Sequence, residues 1–392
     1  MDEFILAKIN QWVLKKQYLL NDSKINDILQ ITDDICGLHA TGTMEPYLTL
    51  FARTPDFKKE ELENELYIKK TLGRIRGIRK TLYIHTKKMI PIIHSATKHL
   101  IERLFEKYLN YHGVSSEDYK KLSMEILNLL SQKEMSTSEI KKTLNSQKDI
   151  GAVISIMCDE MAIIRTKPIK SWKDRRIRYA SFKDYFPEIN ISNYNEEEGL
   201  KILVKKYLKS YGPSTENDIV WWTGIIKSKI RKALDEFRDE IITIKISPLN
   251  HEFLILQTDI EKLNSFTLIQ EDSINFLPQL DPYLMGYKDR ERYLEINNYE
   301  SVFDRSGNIT STILLDGRII GVWDVAEKPV PTVKVLFFNK MDENILDKAY
   351  KEANKIGKFI LEKNFQIKEC KQMIPLTKRT AGGFMTPLKD CT

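Results

Sequence analysis

Three clusters of basic residues are the groups in this sequence best suited to chemistry with an anion. Residues 69–88 contain eight Lys and Arg and no acid, residues 165–178 contain seven against Asp174 alone, and a smaller cluster lies at 227–232. Cationic side chains at this density suit contacts with phosphate, which carry no sequence information. For any single cluster, a solvated face is the commoner explanation. The elements that carry the clusters therefore decide between the two.

His39 is a different kind of candidate, because a lone imidazole in the stretch Gly37-Leu-His-Ala-Thr-Gly42 has no obvious partner. Such a histidine is more often structural than catalytic, so the residue type leaves its role open. The chain has no Gly-rich phosphate loop, no metal-ligand spacing and no Gly-x-Ser-x-Gly elbow. These absences argue against nucleotide hydrolases, metalloenzymes and esterases, and we expect no cofactor and no metal.

Length and composition predict a multidomain cytoplasmic protein. The 392 residues are 42% hydrophobic, which is enough for two to three domains with real cores. No run approaches the roughly 20 apolar residues of a membrane span, and no signal peptide is apparent at the start. The four cysteines share no CxxC spacing, which predicts reduced thiols rather than a disulfide framework. A net charge of +6 permits a nucleic-acid partner without requiring one.

Residues 116–190 predict three helices followed by a two-stranded hairpin, the order of elements in a winged helix. Leu122, Ile126 and Leu130 recur at helical spacing, and Ser136 with Glu139 forms a capping-box signature. A basic loop, Lys167–Arg175, separates the two predicted strands. The wing of a winged helix contacts DNA grooves and phosphates, so this placement favours a nucleic-acid partner.

The same order returns in residues 195–262, and the third basic cluster lies on the third predicted helix of that unit. Residues 1–115 fit a looser version, with helices near 2–19, 26–52 and 57–70, strand-like Arg74–His85 and a long helix at 87–110. Residues 265–365 read as mostly strand with a terminal helix, Glu343–Lys363, and residues 366–392 as a weakly structured tail. The predicted fold class is mainly α with an α+β C-terminal part: tandem winged-helix (helix-turn-helix) units followed by a small β-barrel-like domain.

Four sequence blocks resemble the AlkZ/YcaQ-like winged-helix proteins. Cys36-Gly-Leu-His39-Ala-Thr41, followed by Pro46-Tyr-Leu-Thr-Leu-Phe-Ala-Arg53, is similar to that family's "GLQAQ … YLALWAR" segment. The other three blocks follow in the family's order, over roughly residues 30 to 325: Tyr211-Gly-Pro-Ser-Thr215 with Trp221-Trp-Thr-Gly224, Leu277–Pro282 with Asp289-Arg290, and Leu315–Trp323. Each block is weak alone, and the four in order are specific.

The resemblance implies three tandem winged helices that form a concave scaffold, closed by a β-barrel. It also implies DNA glycosylase activity on bulky alkylated purines or interstrand crosslinks in double-stranded DNA. In that family a Gln-x-Gln or Gln-x-Asp pair places a water at the anomeric carbon, and a β-hairpin enters the minor groove. This sequence has His39-x-Thr41 instead.

The substitution still permits chemistry. A 7-alkylated purine is already a cationic leaving group, so the enzyme must hold a water and stabilise oxocarbenium-like charge. A neutral imidazole can accept a proton from water, and the Thr41 hydroxyl can orient that water. The family position makes Asp281 a third catalytic candidate, although an Asp-Pro step is usually a turn.

The resemblance and the basic clusters together nominate the residues that contact DNA phosphates. A buried structural ion pair explains Arg53 and Arg290 equally well. The nominated residues are Arg53, Arg74, Arg76, Arg79, Lys80, Lys167, Lys170, Lys173, Arg175, Arg176 and Arg290.

Three functions remain open at this point. The first is a DNA glycosylase with His39 and Thr41 holding the water, acting as a monomer and without a membrane. The second is a non-catalytic DNA-binding protein, a regulator or damage sensor, which the missing Gln/Asp pair favours. The third is an interaction scaffold with no nucleic-acid role, for which DNA binding would be negligible even at low salt.

Overall fold

The computed structural model of the chain describes residues 3–378 and 388–391. About 48% of the structure is helical and about 20% is strand, so helix outweighs strand in the described residues, as the sequence predicts. Within the described residues the strands form three sheets, of three, six and six strands.

The described part of residues 1–115 folds into short helices around a β-hairpin. A helix predicted over 26–52 is wrong, because Cys36 and Gly37 have φ values of 60° and 101° and turn the chain out of the helix. Glycine reaches such values without strain, and here it lets the chain enter a short strand. The elements are β1 (Glu3–Ile5), α1 (Leu6–Lys16), α2 (Ile28–Asp34), β2 (Leu38–His39), α3 (Glu45–Arg53), α4 (Lys59–Glu63), β3 (Leu72–Arg76), β4 (Leu82–Thr86), α5 (Met89–Glu102) and α6 (Phe105–Tyr111).

Residues 116–185 have the predicted order of three helices and a hairpin. The predicted capping box is confirmed: the Ser136 amide donates to Glu139 Oε2 at 2.7 Å, and the Glu139 amide donates to Ser136 Oγ at 3.3 Å. The elements are α7 (Ser116–Leu130), β5 (Met135–Ser136), α8 (Thr137–Leu144), α9 (Ile150–Asp159), β6 (Ile163–Pro168), β7 (Ile177–Ser181) and α10 (Phe182–Tyr185).

Residues 196–265 repeat this order and bind the N-terminus. Gly224, in the left-handed region at φ 73°, ends the second helix of the unit. The elements are α11 (Glu196–Tyr211), α12 (Glu216–Thr223), α13 (Lys227–Asp235), β8 (Ile241–Ser247), β9 (Leu249–Leu256) and α14 (Gln257–Ser265). β1 pairs parallel with β8, so Glu3–Ile5 form the third strand of the sheet of this unit.

The C-terminal part is a sheet covered by one long helix. Its elements are β10 (Ile274–Leu277), α15 (Pro282–Met285), α16 (Tyr299–Val302), β11 (Thr312–Leu315), β12 (Arg318–Ala326), β13 (Thr332–Phe337), α17 (Glu343–Leu361), β14 (Gln366–Met373) and β15 (Leu388–Cys391). α16 lies within a region, residues 265–365, that the sequence predicts as mostly strand. The weakly structured tail is wrong for 366–373, which form β14, and the prediction for 379–387 and 392 lies outside the described residues.

This C-terminal sheet corrects the expected barrel. Its strand order runs linearly from β10 to β15, and no pairing between these two edge strands closes it within the described ranges. β13 and β14 are parallel, so a crossover must join them, and α17 provides it. The apolar face of α17 packs on the sheet through Ala349, Ala353 and Ile356. An amphipathic helix therefore covers the face that a barrel would have closed on itself.

A second sheet joins the first two units. Its order is β2-β4-β3-β6-β7-β5, and the contact between the units is the antiparallel pairing of Arg74 with Arg165. This pairing brings the first two basic clusters of the sequence next to each other.

Buried tyrosines connect the third helix–hairpin unit to the C-terminal part. Tyr207 donates its hydroxyl to the Gly286 carbonyl, and Tyr287 donates to the Tyr211 carbonyl, both at 2.7 Å. All three tyrosines are fully buried. Buried phenols with satisfied hydroxyls fix the two parts in one arrangement.

The cysteines differ from the sequence expectation at one position. Cys36 and Cys158 are free and buried, whereas Cys370 is disulfide-bonded. The expectation of reduced thiols is therefore wrong for Cys370. The spacing of the cysteines in the sequence gave no reason to expect a disulfide at this residue.

Candidate functional site

A cleft of about 610 Å³ lies where the N-terminal units meet the C-terminal sheet. Its volume falls in the range of sites that enclose a small ligand. The loop after β2, the start of α3, the adjoining strands β3 and β6, and the segment after β10 all contribute to its walls. The polar side chains among its lining residues include Thr41, Glu45, Arg74, Arg165, Arg175 and Gln279.

Thr41 lines the cleft and is exposed, as the sequence prediction requires of a residue that holds water. Its loop is fastened at both ends. The Ala40 amide donates to the Leu82 carbonyl at 2.8 Å, and the Thr43 hydroxyl donates to the Lys173 carbonyl at 3.3 Å. The loop between β6 and β7, which contains Lys173, therefore helps to position the loop that carries Thr41.

His39 is 3% exposed and is not part of the cleft wall. Its ring packs on Tyr83, with centroids 4.8 Å apart, and its Nδ1 accepts the Thr41 amide at 3.5 Å. Burial, reinforced by the nearby charge of Arg79, lowers the pKa of His39 to about 3. The buried imidazole contacts the backbone of Thr41 and does not line the cleft.

Glu45, at the start of α3, is a cleft residue that the sequence analysis missed. It is 4% exposed, and the Gln279 side-chain amide donates to its Oε1. Its Oε2 has no hydrogen-bond partner in the part of the chain that the structure describes. Burial raises the pKa of the Glu45 carboxyl above its usual value, although the Gln279 amide and the charge of Arg175 oppose the shift.

Asp281, the third catalytic candidate, lies outside the cleft wall. Its carboxylate accepts both Nη atoms of Arg53 at 2.8 Å, and both side chains are 0% exposed. One of its oxygens also caps α15 through the Tyr283 amide at 3.0 Å. The buried ion pair that competed with a site role is therefore the arrangement observed, and Arg53 is out of reach of a phosphate.

Three arginines bring positive charge to the cleft. Arg74 on β3 and Arg165 on β6 are opposite each other in the strand pairing. Arg175 is exposed on the loop between β6 and β7. None of the three forms an ion pair with another residue of the described ranges. Arg165 belongs to a basic cluster noted in the sequence but was not nominated as a DNA contact.

Other nominated arginines are occupied by the protein. Arg290 stacks on Phe303, 3.6 Å from the ring centroid, and donates to the Gly307 carbonyl at 2.9 Å. Arg79 lies 4.0 Å from the ring centroid of Trp221. Arg76 is 2.5 Å from Asp159. Arg290 is only 8% exposed, so its nomination as a phosphate contact is corrected by its burial.

The lysines nominated near the wing and the hairpin remain accessible to different degrees. Lys167 and Lys170 are exposed, and Lys80 is half-buried at the turn between β3 and β4. Lys173 pairs with Glu327 at 2.5 Å and Arg176 with Asp174 at 2.8 Å. The hairpin of β6 and β7 thus presents cations of which some are already neutralised by ion pairs.

The basic cluster on α13 is the most fully neutralised. Lys227 and Arg231 share Glu216, at 2.9 and 3.0 Å, and Lys232 pairs with Glu197 at 2.5 Å. For this cluster the solvated face is the better description.

Glu45 and Gln279 were missed because their meeting depends on the fold. They are 234 positions apart, and Glu45 stands one residue before the block that carried the resemblance. The available signal was weak: an acid beside a proline at the start of a helix is common for reasons of capping and dipole.

The cleft combines cations with a buried carboxylate, and the comparisons with known proteins give the family. A sequence model described as DNA glycosylase AlkZ-like matches residues 32–353. The chain therefore belongs to the AlkZ-like DNA glycosylase family.

Two matches support this assignment, one in sequence and one in structure. The interstrand DNA cross-link repair glycosylase of Streptomyces sahachiroi is 25% identical over 136 residues, which are 34% of this chain and 36% of that protein. The structure of the Streptomyces sahachiroi DNA glycosylase AlkZ matches with a TM-score of 0.76 and 17% identity, over 94% of this chain and 100% of that one. At this identity the structural likeness shows the fold. The sequence match spans about a third of the curated relative.

Two features are absent from the described residues. None of the helices in the described ranges is long and apolar enough to cross a membrane. No group of three or more His, Cys, Asp and Glu in those ranges is arranged to hold a metal ion.

Proposed function

We propose that this protein is a DNA glycosylase that hydrolyses the N-glycosidic bond of bulky alkylated or crosslinked purines in duplex DNA. The observation that carries the proposal is the cleft itself. It combines a water-accessible hydroxyl, Thr41, a buried carboxylate, Glu45, and arginines without carboxylate partners among the described residues. The family assignment supplies the reaction class.

The arrangement suits a cationic leaving group. A 7-alkylated purine carries its own positive charge, so departure needs no protonation by the protein. What the site must supply is an oriented water and negative charge near the sugar as oxocarbenium character develops. Arg165 and Arg175 can hold the flanking phosphates, which positions the sugar without reading sequence, whereas Arg74 is only 9% exposed and contributes its charge from within the cleft wall.

In this proposal Thr41 and His39 divide the role that the sequence assigned to them jointly. The Thr41 hydroxyl contacts the water, and the His39 imidazole holds the Thr41 amide through Nδ1 at 3.5 Å. His39 is then a positioning residue rather than a proton acceptor.

The proposal also includes the tandem winged-helix architecture. The repeated order of three helices and a hairpin in residues 116–190 and 195–262 supports it, and the boundaries at 115, 190 and 262 remain predictions. The exposed cations Lys167, Lys170 and Arg175 lie on the hairpin that would be a wing. DNA would then run along the face that contains the cleft.

The test is release of the base from duplex DNA that contains 7-methylguanine and from a nitrogen-mustard interstrand crosslink. We expect release by the wild type and about tenfold slower release by Thr41→Ala, since one hydrogen bond to the water is lost. Thr143→Ala, on an exposed face of α8, is the matched control and should match the wild type. Tight, salt-sensitive binding without release from either substrate would favour the non-catalytic DNA-binding protein instead.

A further inference from the structure

Glu45 is buried in an uncommon way for a carboxylate. Its exposed fraction is 4%, yet no Lys or Arg in the described residues lies within ion-pair distance. Buried carboxylates are ordinarily paired with a cation, because desolvation of an unpaired charge is costly. The fold nevertheless keeps an acid at this position, in the wall of the cleft.

The surroundings of Glu45 hold one carboxylate oxygen in a hydrogen bond and leave the other buried without one. The Gln279 amide holds Oε1, whereas Oε2 has no partner among the described residues. Gly42 provides the necessary room, since a Cβ at that position would lie 2.1 Å from Oε2 and 2.2 Å from Oε1. The carboxylate therefore lies against a residue without a side chain, in the loop that carries Thr41.

We propose that Glu45 is a catalytic residue whose Oε2 holds and deprotonates the attacking water. This inference rests on the proposed glycosylase function and names the carboxylate that would perform it. It adds the negative charge that His39 and Thr41 do not provide.

The proposed step balances without a further reactant. The electron pair of the C1′–N9 bond leaves with the purine and neutralises the positive charge of its alkylated ring. The water oxygen forms the new bond to C1′, and one water proton passes to Glu45 Oε2. The products are the free neutral base and an abasic deoxyribose with a hydroxyl at C1′.

The other charged groups of the cleft wall come from several elements. Arg74 and Arg165 lie on the sheet, Arg175 on the wing loop and Asp324 on β12, all in the wall of the same cleft. Burial raises the pKa of Glu45, and the charge of Arg175 opposes that rise. Because the base must be deprotonated to accept a proton, activity should increase as the pH rises through the raised pKa and then level off.

Glu45→Gln keeps the shape of the side chain and the hydrogen-bond capacity of one oxygen, but removes the base. With enzyme in excess over a 7-methylguanine duplex, we expect base release to fall by about 10²- to 10³-fold, as for loss of a general base. Duplex affinity should stay within about twofold, and the acidic limb of the pH profile should disappear. Glu117→Gln, exposed in the first turn of α7, is the matched control.

Gly42→Ala is a second test, which keeps the Glu45 residue and changes only its surroundings. Its methyl group would displace the carboxylate, so release should slow while the duplex still binds. This variant decides the question if Glu45→Gln does not fold. If the wild type releases the base and the folded variants release it at nearly the same rate, the role of Glu45 is overturned and the proposed function is not. Absence of release by the wild type would overturn the proposed function, and this inference with it.

Discussion

Arg53 and Asp281 form a doubly hydrogen-bonded ion pair with both side chains completely buried, although they are 228 positions apart. Arg53 ends α3, and Glu45 begins it. Asp281 and Gln279 lie in one segment after β10. Both ends of α3 are therefore fastened to the same stretch of the C-terminal part, which holds two walls of the cleft at a fixed separation.

Loss of this ion pair should destabilise the whole protein. Asp281→Asn leaves the Arg53 charge buried with no carboxylate, so we expect the free energy of unfolding to fall by about 3–5 kcal/mol. Chemical denaturation followed by circular dichroism measures it. Asp235→Asn, which removes an exposed pair with Arg238, is the control and should change little. A stability change at Asp281 no larger than that of the control would contradict a structural role.

The cleft arginines should account for part of the salt dependence of DNA binding. Arg175→Ala removes one exposed cation, so affinity should fall and the slope of log K against log salt should decrease in magnitude by about 1. Fluorescence anisotropy with a duplex at several salt concentrations measures both quantities. The cation of Arg231, on α13, is paired with Glu216, so Arg231→Ala should leave the slope unchanged. Equal effects of the two variants would place the DNA elsewhere.

His39 should be replaceable by a residue that preserves its acceptor. In His39→Asn the side-chain oxygen can occupy the place of Nδ1 and accept the Thr41 amide, so base release should stay within a few-fold of the wild type. His39→Phe fills the space without an acceptor, and release should fall by about tenfold. Similar rates for the two variants, measured at equal thermal stability, would show that the hydrogen bond to Thr41 is irrelevant.

Buried histidines should make the protein less stable in mild acid. Burial lowers the pKa of His39 and of His85 to about 3, against 6.5 in the unfolded chain. Between these values the unfolded state binds more protons, so stability falls as the pH drops below about 6.5. Each histidine then costs about 2 kcal/mol at pH 5.

Unfolding by urea at pH 7, 6 and 5 checks this dependence. Replacing His85 by Asn should reduce the loss of stability between pH 6 and 5 by about 1 kcal/mol. His251→Gln, exposed on β9, should leave that loss as it is in the wild type. An unchanged pH dependence in the His85 variant would contradict a neutral buried imidazole.

Local signals predicted the local structure. The Ser136 and Glu139 capping box depends on a few neighbouring residues, and it is observed. The helix predicted over 26–52 failed because helical spacing of apolar residues continues across Cys36 and Gly37, whose positive φ values only the folded chain reveals.

The site was harder to predict because its partners are distant in sequence. His39 and Thr41 were found through a motif, but that the first of them is buried beside Tyr83 depends on strand pairing. The role of Asp281 depends on Arg53. That only one carboxylate oxygen of Glu45 has a hydrogen bond depends on Gln279. No pattern within one stretch of residues distinguishes a paired acid from an unpaired one.

Release of 7-methylguanine from a duplex, with enzyme in excess, tests the central claim most directly. The wild type should be compared with Thr41→Ala/Glu45→Gln, which removes both groups proposed to hold the water. Release by the wild type, with loss of release but intact duplex binding in the double variant, is the predicted result. No release by the wild type, or equal release by the two proteins, would contradict a glycosylase site in this cleft.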